Sequence, residues 1–142
     1  MSNGKPLVRH NYPAILVAAI VCFLFEATWY SFFLESWLSG MGRTRQWLES
    51  SGANLGLQCA VAILSQALIA MAISSIVQRT GQQTLLRGMK IGALSSIAFV
   101  LPTIATGYVF EARSFTVFAI DVGFWLAGMT IMGGIVGAWK KK

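Results

Sequence analysis

Four runs of this chain, residues 13–34, 53–77, 91–110 and 115–138, are long and apolar enough to cross a lipid bilayer as helices. A hydrocarbon core of about 30 Å takes about 20 helical residues, and each run supplies them. The second and third runs carry no charged residue, and the first and fourth carry one acid each. A helix on the surface of a soluble protein shows a polar face every 3.6 residues, which none of these runs has. Strands of a membrane barrel alternate polar and apolar residues over about ten positions, which the runs also lack. Only helices satisfy their own backbone hydrogen bonds within such a segment. The expected fold is therefore all-α and integral to the membrane: a single domain over residues 1–142, formed by a bundle of four transmembrane helices.

Composition agrees, because 56% of the residues are hydrophobic and 11% are charged, against about 25% charged in a soluble domain. With 142 residues there is room for one domain and no large extramembrane module. The chain holds 11 Lys and Arg against 5 Asp and Glu, a net charge of +6. In a soluble protein that excess suggests a nucleic-acid partner. Here the basic residues cluster at the ends of apolar runs, so a bilayer is the expected partner and nucleic acid is not.

The placement of those charges sets orientation. With four spans, Lys5, Arg9, Arg79, Arg87, Lys90, Lys140, Lys141 and Lys142 share one side, and only Arg43, Arg45 and Arg113 lie on the other. Cytoplasmic loops carry the excess of Lys and Arg, so both termini are expected in the cytoplasm of a multi-pass protein of the cell (inner) membrane. The run Lys140 to Lys142 reads first as a topology anchor, and it can also attract anionic lipid. The first run is long and has no small-x-small site before Glu26, so it is expected to stay in the protein rather than to be cleaved as a signal peptide.

Local signals mark the ends of the runs. Asn11 before Pro13 reads as a cap and first-turn proline, and Ser114 opens the fourth run. Between the first two runs, residues 43–50 read as a short interfacial helix with Trp47 and Leu48 toward lipid. Cys22 and Cys59 fall inside spans and read as small packing residues.

Glu26 and Asp121 are the two acids inside spans. An ionisable group there costs several kcal/mol unless it is neutralised, paired or wetted, so each is a candidate functional residue. At 1.5 Å per residue, Glu26 is expected about 12–16 Å below the outer end of its span and Asp121 about 10 Å below the start of its own. Tyr30 follows Glu26 by four residues and Trp125 follows Asp121 by four, which places each pair on one helix face. Gln58, Ser65, Thr103 and Thr106 fall at a similar level. Pro102 removes a backbone hydrogen bond and is expected to kink the third span, freeing a carbonyl. If spans one and four pack together, these residues line one outward-opening polar pocket in which the acids share a proton. The bland alternative is that the amides and hydroxyls only bond between helices, at about 0.6 kcal/mol each.

The fourth run is rich in glycine, with Gly123, Gly128, Gly133, Gly134 and Gly137. Gly133 and Gly137 form a small-xxx-small step that allows close helix approach, either in the bundle centre or at a subunit interface. Ala27-Thr28-Trp29-Tyr30 is echoed by Ala105-Thr106-Gly107-Tyr108, each followed shortly by Phe and Glu, which raises the question of paired hairpin repeats. Catalytic patterns are absent: the one histidine is His10, and there is no metal-ligand spacing, phosphate loop or nucleophile elbow. The chain is not expected to be an enzyme or to bind a metal or cofactor.

Asn11-Tyr12-Pro13-Ala14-Ile15-Leu16-Val17-Ala18-Ala19, then Trp29-Tyr30-Ser31 with Phe33 and Trp37, resemble the opening of small four-span membrane proteins grouped as domain-of-unknown-function family 1761. Phe118-Ala119-Ile120-Asp121-Val122-Gly123-Phe124 and Met132-Gly133-Gly134-Ile135-Val136-Gly137-Ala138-Trp139 resemble that family's last span. The resemblance implies a polytopic, mostly bacterial membrane protein with no activity to carry over. It also implies that a shared function rests on Asp121, Trp29 and Tyr30, because the family pattern has a small residue where Glu26 stands. Two functions stay open: a pocket or conduit for a proton, small cation or polar solute, formed in a homo-oligomer, or an accessory subunit that packs against other membrane subunits or lipid.

Overall fold

The computed structural model describes residues 10–81 and 83–140. Lys5, Arg9, Lys141 and Lys142, counted above for orientation, lie outside the described residues. The elements are helices α1 (Tyr12–Gly40), α2 (Arg45–Ser50), α3 (Leu55–Arg79), α4 (Leu85–Ser95), a π-helical turn (Ser96–Val100), α5 (Leu101–Phe110) and α6 (Phe115–Ala138). There is no strand among the described residues. α4, the π turn and α5 run on as one span, Leu85–Phe110, so four helices are long and apolar enough to cross a membrane.

Each of the four spans starts where a side chain can take up an orphan amide. Asn11 Oδ1 accepts from Ala14 N–H at 3.3 Å, Asn54 Oδ1 from Leu57 N–H at 3.0 Å, and Thr84 Oγ1 from Arg87 N–H at 3.3 Å. Ser114 opens α6 by accepting from Thr116 N–H at 3.1 Å. α6 occupies the expected residues and α3 lies two residues further on than expected, whereas two boundaries differ by more. α1 runs on past residue 34 to Gly40, because Leu38 is buried in the bundle and the intervening Glu35 is exposed and ion-paired with Arg45. The third span begins at Leu85 rather than residue 91. Arg87 and Lys90 sit in its first turns, where long basic side chains reach polar surroundings from a helical backbone. Arg87 there donates to the Thr80 carbonyl at 3.2 Å.

α2 forms the short connecting helix, with Trp47 and Leu48 both exposed. The Arg43 guanidinium lies 3.8 Å from the centre of the Trp47 ring, a cation–π contact that ties the α1–α2 turn down. In the third span Pro102 has no N–H to give, and just before it the backbone widens: Leu101 N–H bonds to the Ser96 carbonyl, five residues back. The expected disturbance at Pro102 is thus a π turn within one continuous span.

The bundle is held by two interfaces. A core of Ile15, Ala18 and Cys22 from α1, Ala70, Ile73 and Val77 from α3, and Phe124, Met129, Met132 and Val136 from α6 fills the centre. The most extensive helix pair is α4 with α6. Here Gly88 and Gly92 of α4 meet Gly133 and Gly137 of α6 so closely that a β-carbon on Gly88 would overlap the Gly133 carbonyl oxygen and lie 2.9 Å from Gly137 Cα. The small-xxx-small step on α6 therefore has a matching one on α4, and its partner is within the chain. Gly128 faces the other way, where an added Cβ would stand 3.0 Å from Cys22 Sγ of α1. Cys22 is buried and Cys59 half-buried, and both are free thiols. Asn11 Nδ2 donates to the Trp139 carbonyl at 3.1 Å, so the start of α1 and the end of α6 lie at the same end of the bundle.

Candidate functional site

The two intramembrane acids occupy separate polar clusters. Asp121 lies six residues into α6, about 9 Å from its start. α1 brings Tyr30 and Trp37 to it, two turns apart on one face. Tyr30 Oη donates to Asp121 Oδ1 at 2.7 Å and Trp37 Nε1 to the same oxygen at 3.2 Å. Tyr108 of α5 donates to Oδ2 from the other side. All three donors are neutral aromatic groups, and no cation pairs with Asp121 among the described residues. They fill three of the roughly four acceptor positions of a carboxylate. Asp121 thereby joins α1, α5 and α6.

The surrounding aromatic residues fix this cluster. Tyr30 packs edge-on against Trp37 with ring centres 6.0 Å apart, and against Phe124 at 5.5 Å. Trp29 donates from Nε1 to the Ile120 carbonyl at 3.1 Å. Its ring fits because residue 123 is glycine: a β-carbon there would stand 3.0 Å from Trp29 Cζ2. The aspartate is thus held in a formed aromatic cage with a bond to each of its near donors.

Glu26 is placed differently. With α1 extending to Gly40, it has 14 residues on either side and stands about 21 Å from each helix end, at the middle of α1. Among the described residues its hydrogen-bond partner is Gln66 of α3, whose Nε2 donates to Oε2 at 3.1 Å. Gln66 is itself buried, 1% exposed, and its Oε1 has no partner among the described residues. Leaving such an acceptor dry costs about 1–3 kcal/mol. Both groups face an open groove of about 540 Å³ between α1, α3 and α6, lined also by Gln58, Ser65 and Trp125. The groove contains no basic residue.

The structure therefore separates what the sequence placed together. Glu26, Gln58 and Trp125 share the groove, while Tyr30 binds Asp121 and Trp29 binds the adjacent Ile120 carbonyl. The acids do not bond to each other, although α1 and α6 pack as expected, because each is engaged by different neighbours. Trp125, one turn beyond Asp121, belongs with Glu26 instead. Thr103 and Thr106 line neither cluster. Both are exposed, and their hydroxyls turn back onto the Phe99 and Pro102 carbonyls of their own helix at 2.7 and 2.9 Å. Three participants were not singled out in the sequence as site residues: Trp37, Tyr108 and Gln66. A signal existed for each. Trp37 stands in the family-like motif, Tyr108 is the echo of Tyr30, and Gln66 follows Gln58 by eight residues on one helical face. The two echoed tyrosines donate to the two oxygens of the same aspartate.

No group of three or more His, Cys, Asp or Glu side chains is placed to hold a metal among the described residues. Four apolar spans packed around small residues, with acids engaged inside them, define a multi-pass membrane protein. Residues 13–137 match the family model described as protein of unknown function, DUF1761, and the chain belongs to that family. No curated protein and no solved structure matches it.

Proposed function

We propose that the protein is a non-catalytic membrane protein that binds a small monovalent cation or a cationic polar solute at Glu26, with both termini in the cytoplasm. The observation that carries this reading is a carboxylate at the middle of α1, in an open groove, whose bonded partner among the described residues is the amide of Gln66. A carboxylate in low dielectric calls for a positive charge or a proton, and the chain supplies no basic side chain there. The Gln58 and Ser65 side chains that line the groove add two oxygen acceptors, and the Trp125 ring adds a π face of the kind that favours cations. Two acceptors and an aromatic wall without a basic group suit a cation better than an anion. Asp121, whose donors are in place, has the role of holding α5 to the bundle around this site.

The test is thermal unfolding in lipid nanodiscs with sodium, potassium, lithium or methylammonium chloride at constant ionic strength. Binding at 100 times Kd stabilises by about 2.7 kcal/mol, so one of these cations should raise the midpoint by several degrees. Glu26→Gln should remove that response while remaining folded, since the glutamine can still accept from Gln66. A wild type indifferent to all four cations, or an undiminished response in Glu26→Gln, would refute the proposal.

A further inference from the structure

A second groove lies at the end of the bundle where α1 starts and α6 ends. It has a volume of about 1170 Å³, beyond the roughly 300–1,000 Å³ typical of pockets for small ligands, and runs between α4 and α6. Its body is apolar, walled by Leu85 and Met89 on one side and Ile135 and Ala138 on the other. Its polar groups, Asn11 and Lys140, belong to residues at the start of α1 and just past the end of α6. The floor is low because residue 134 is glycine, where a β-carbon would come within 3.0 Å of Met89 Cγ.

The rim's side-chain amides are bonded to neighbouring carbonyls, which leaves one cationic donor and few free acceptors. The Trp139 carbonyl is taken by Asn11 Nδ2 at 3.1 Å and by Gln83 Nε2 at 3.2 Å, and Gln83 also donates to the Val136 carbonyl at 2.7 Å. Asn11 Oδ1 is occupied by the Ala14 amide. The Lys140 ammonium remains, with no ion pair among the described residues. Charge at this end is one-sided. Arg79, Arg87, Lys90 and Lys140 lie here, whereas Glu26 is midway along α1 and Glu35, Glu49, Glu111 and Asp121 lie toward the opposite end.

We infer that this groove binds one anionic phospholipid, its acyl chain along Leu85, Met89 and Ile135 and its phosphate at Lys140. An elongated apolar body with a cationic rim has the chemistry of an amphiphile with a negative head. A zwitterionic lipid fills the same body but gains less at the rim, because it brings a positive group with its phosphate. A basic residue near the surface attracts anionic lipid by about 1 kcal/mol, which is about five-fold in affinity.

The experiment is native mass spectrometry of protein extracted from bilayers of equal phosphatidylglycerol and phosphatidylcholine with identical chains. Wild type should retain one phosphatidylglycerol at least five-fold more often than phosphatidylcholine. Lys140→Gln should reduce that ratio about five-fold. Ala138→Trp, made at an exposed helix position so that the indole fills the groove, should remove the retained lipid with all the lysines still in place. Equal retention of the two lipids by wild type would overturn the inference. So would undiminished preference for phosphatidylglycerol in Ala138→Trp, which would show attraction by surface charge alone.

Discussion

Gly88→Val and Gly133→Val should each abolish the folded bundle while leaving the chain helical. A β-carbon on Gly88 overlaps the Gly133 carbonyl oxygen, and one on Gly133 overlaps the Gly88 carbonyl oxygen. Overpacking a core usually costs about 1–3 kcal/mol, because side chains can shift aside. Here the obstacle on both sides is backbone. Relief requires α4 and α6 to move apart, which loses the most extensive helix interface in the molecule. In lipid that interface is held by van der Waals packing, which falls off steeply with separation. A loss well beyond the about 1–3 kcal/mol of ordinary overpacking is therefore expected, enough to exceed the lower end of a typical stability of about 5–15 kcal/mol. Circular dichroism should still report helix, since each span closes its own hydrogen bonds. The cooperative thermal transition should disappear. Gly107→Ala is the control, because nothing lies within 4 Å of its added Cβ, and its midpoint should stay close to wild type. A wild-type transition in Gly88→Val would refute this account of the α4–α6 contact.

Asp121→Ala should produce the second largest loss, concentrated on α5. The substitution leaves Tyr30 Oη, Trp37 Nε1 and Tyr108 Oη without their acceptor. At about 0.6 kcal/mol for each interhelical bond the loss is about 2 kcal/mol, and it grows toward about 5 kcal/mol if the orphaned donors stay dry. Asp121→Asn should cost less, because its carbonyl still accepts from one side of the cage. No residue of α5 is buried, so the Tyr108 bond to Asp121 is its principal polar hold on the bundle. A double-mutant cycle of Asp121→Ala with Tyr108→Phe in lipid nanodiscs should therefore show coupling, the pair costing less than the sum of the single variants. Strict additivity would mean that Tyr108 and Asp121 act independently. The cation response attributed to Glu26 should survive in Asp121→Asn, which separates the clamp from the binding groove.

The four spans were legible because a bilayer imposes one requirement, length and apolarity, that shows in the one-dimensional chain. Residues 115–138 form α6 as read, and the caps Asn11 and Ser114 act where their side chains suggested. The start of the third span was missed for a physical reason. Arg87 and Lys90 are charged, but their long side chains let the backbone stay helical beside polar surroundings. Placing that boundary too late left Gly88 in a loop and hid its step with Gly92, although the complementary step on α6 was plain. Pro102 signalled a disturbance in the right place, while its form as a π turn depended on how the helix recovered its hydrogen bonds.

The sequence by itself determined that the chain spans the membrane four times, that α6 carries a close-packing glycine step, and that two acids sit where acids are costly. Those properties follow from burial energies and helix periodicity, which act along the chain. Tertiary structure alone decided how the acids divide: Asp121 in a cage of three aromatic donors, Glu26 beside one half-satisfied amide in an open groove. Partner choice depends on how the helices are rotated against one another. The glycine contacts with α4 set how α6 sits, and the room Gly123 leaves for Trp29 sets how α1 sits against it.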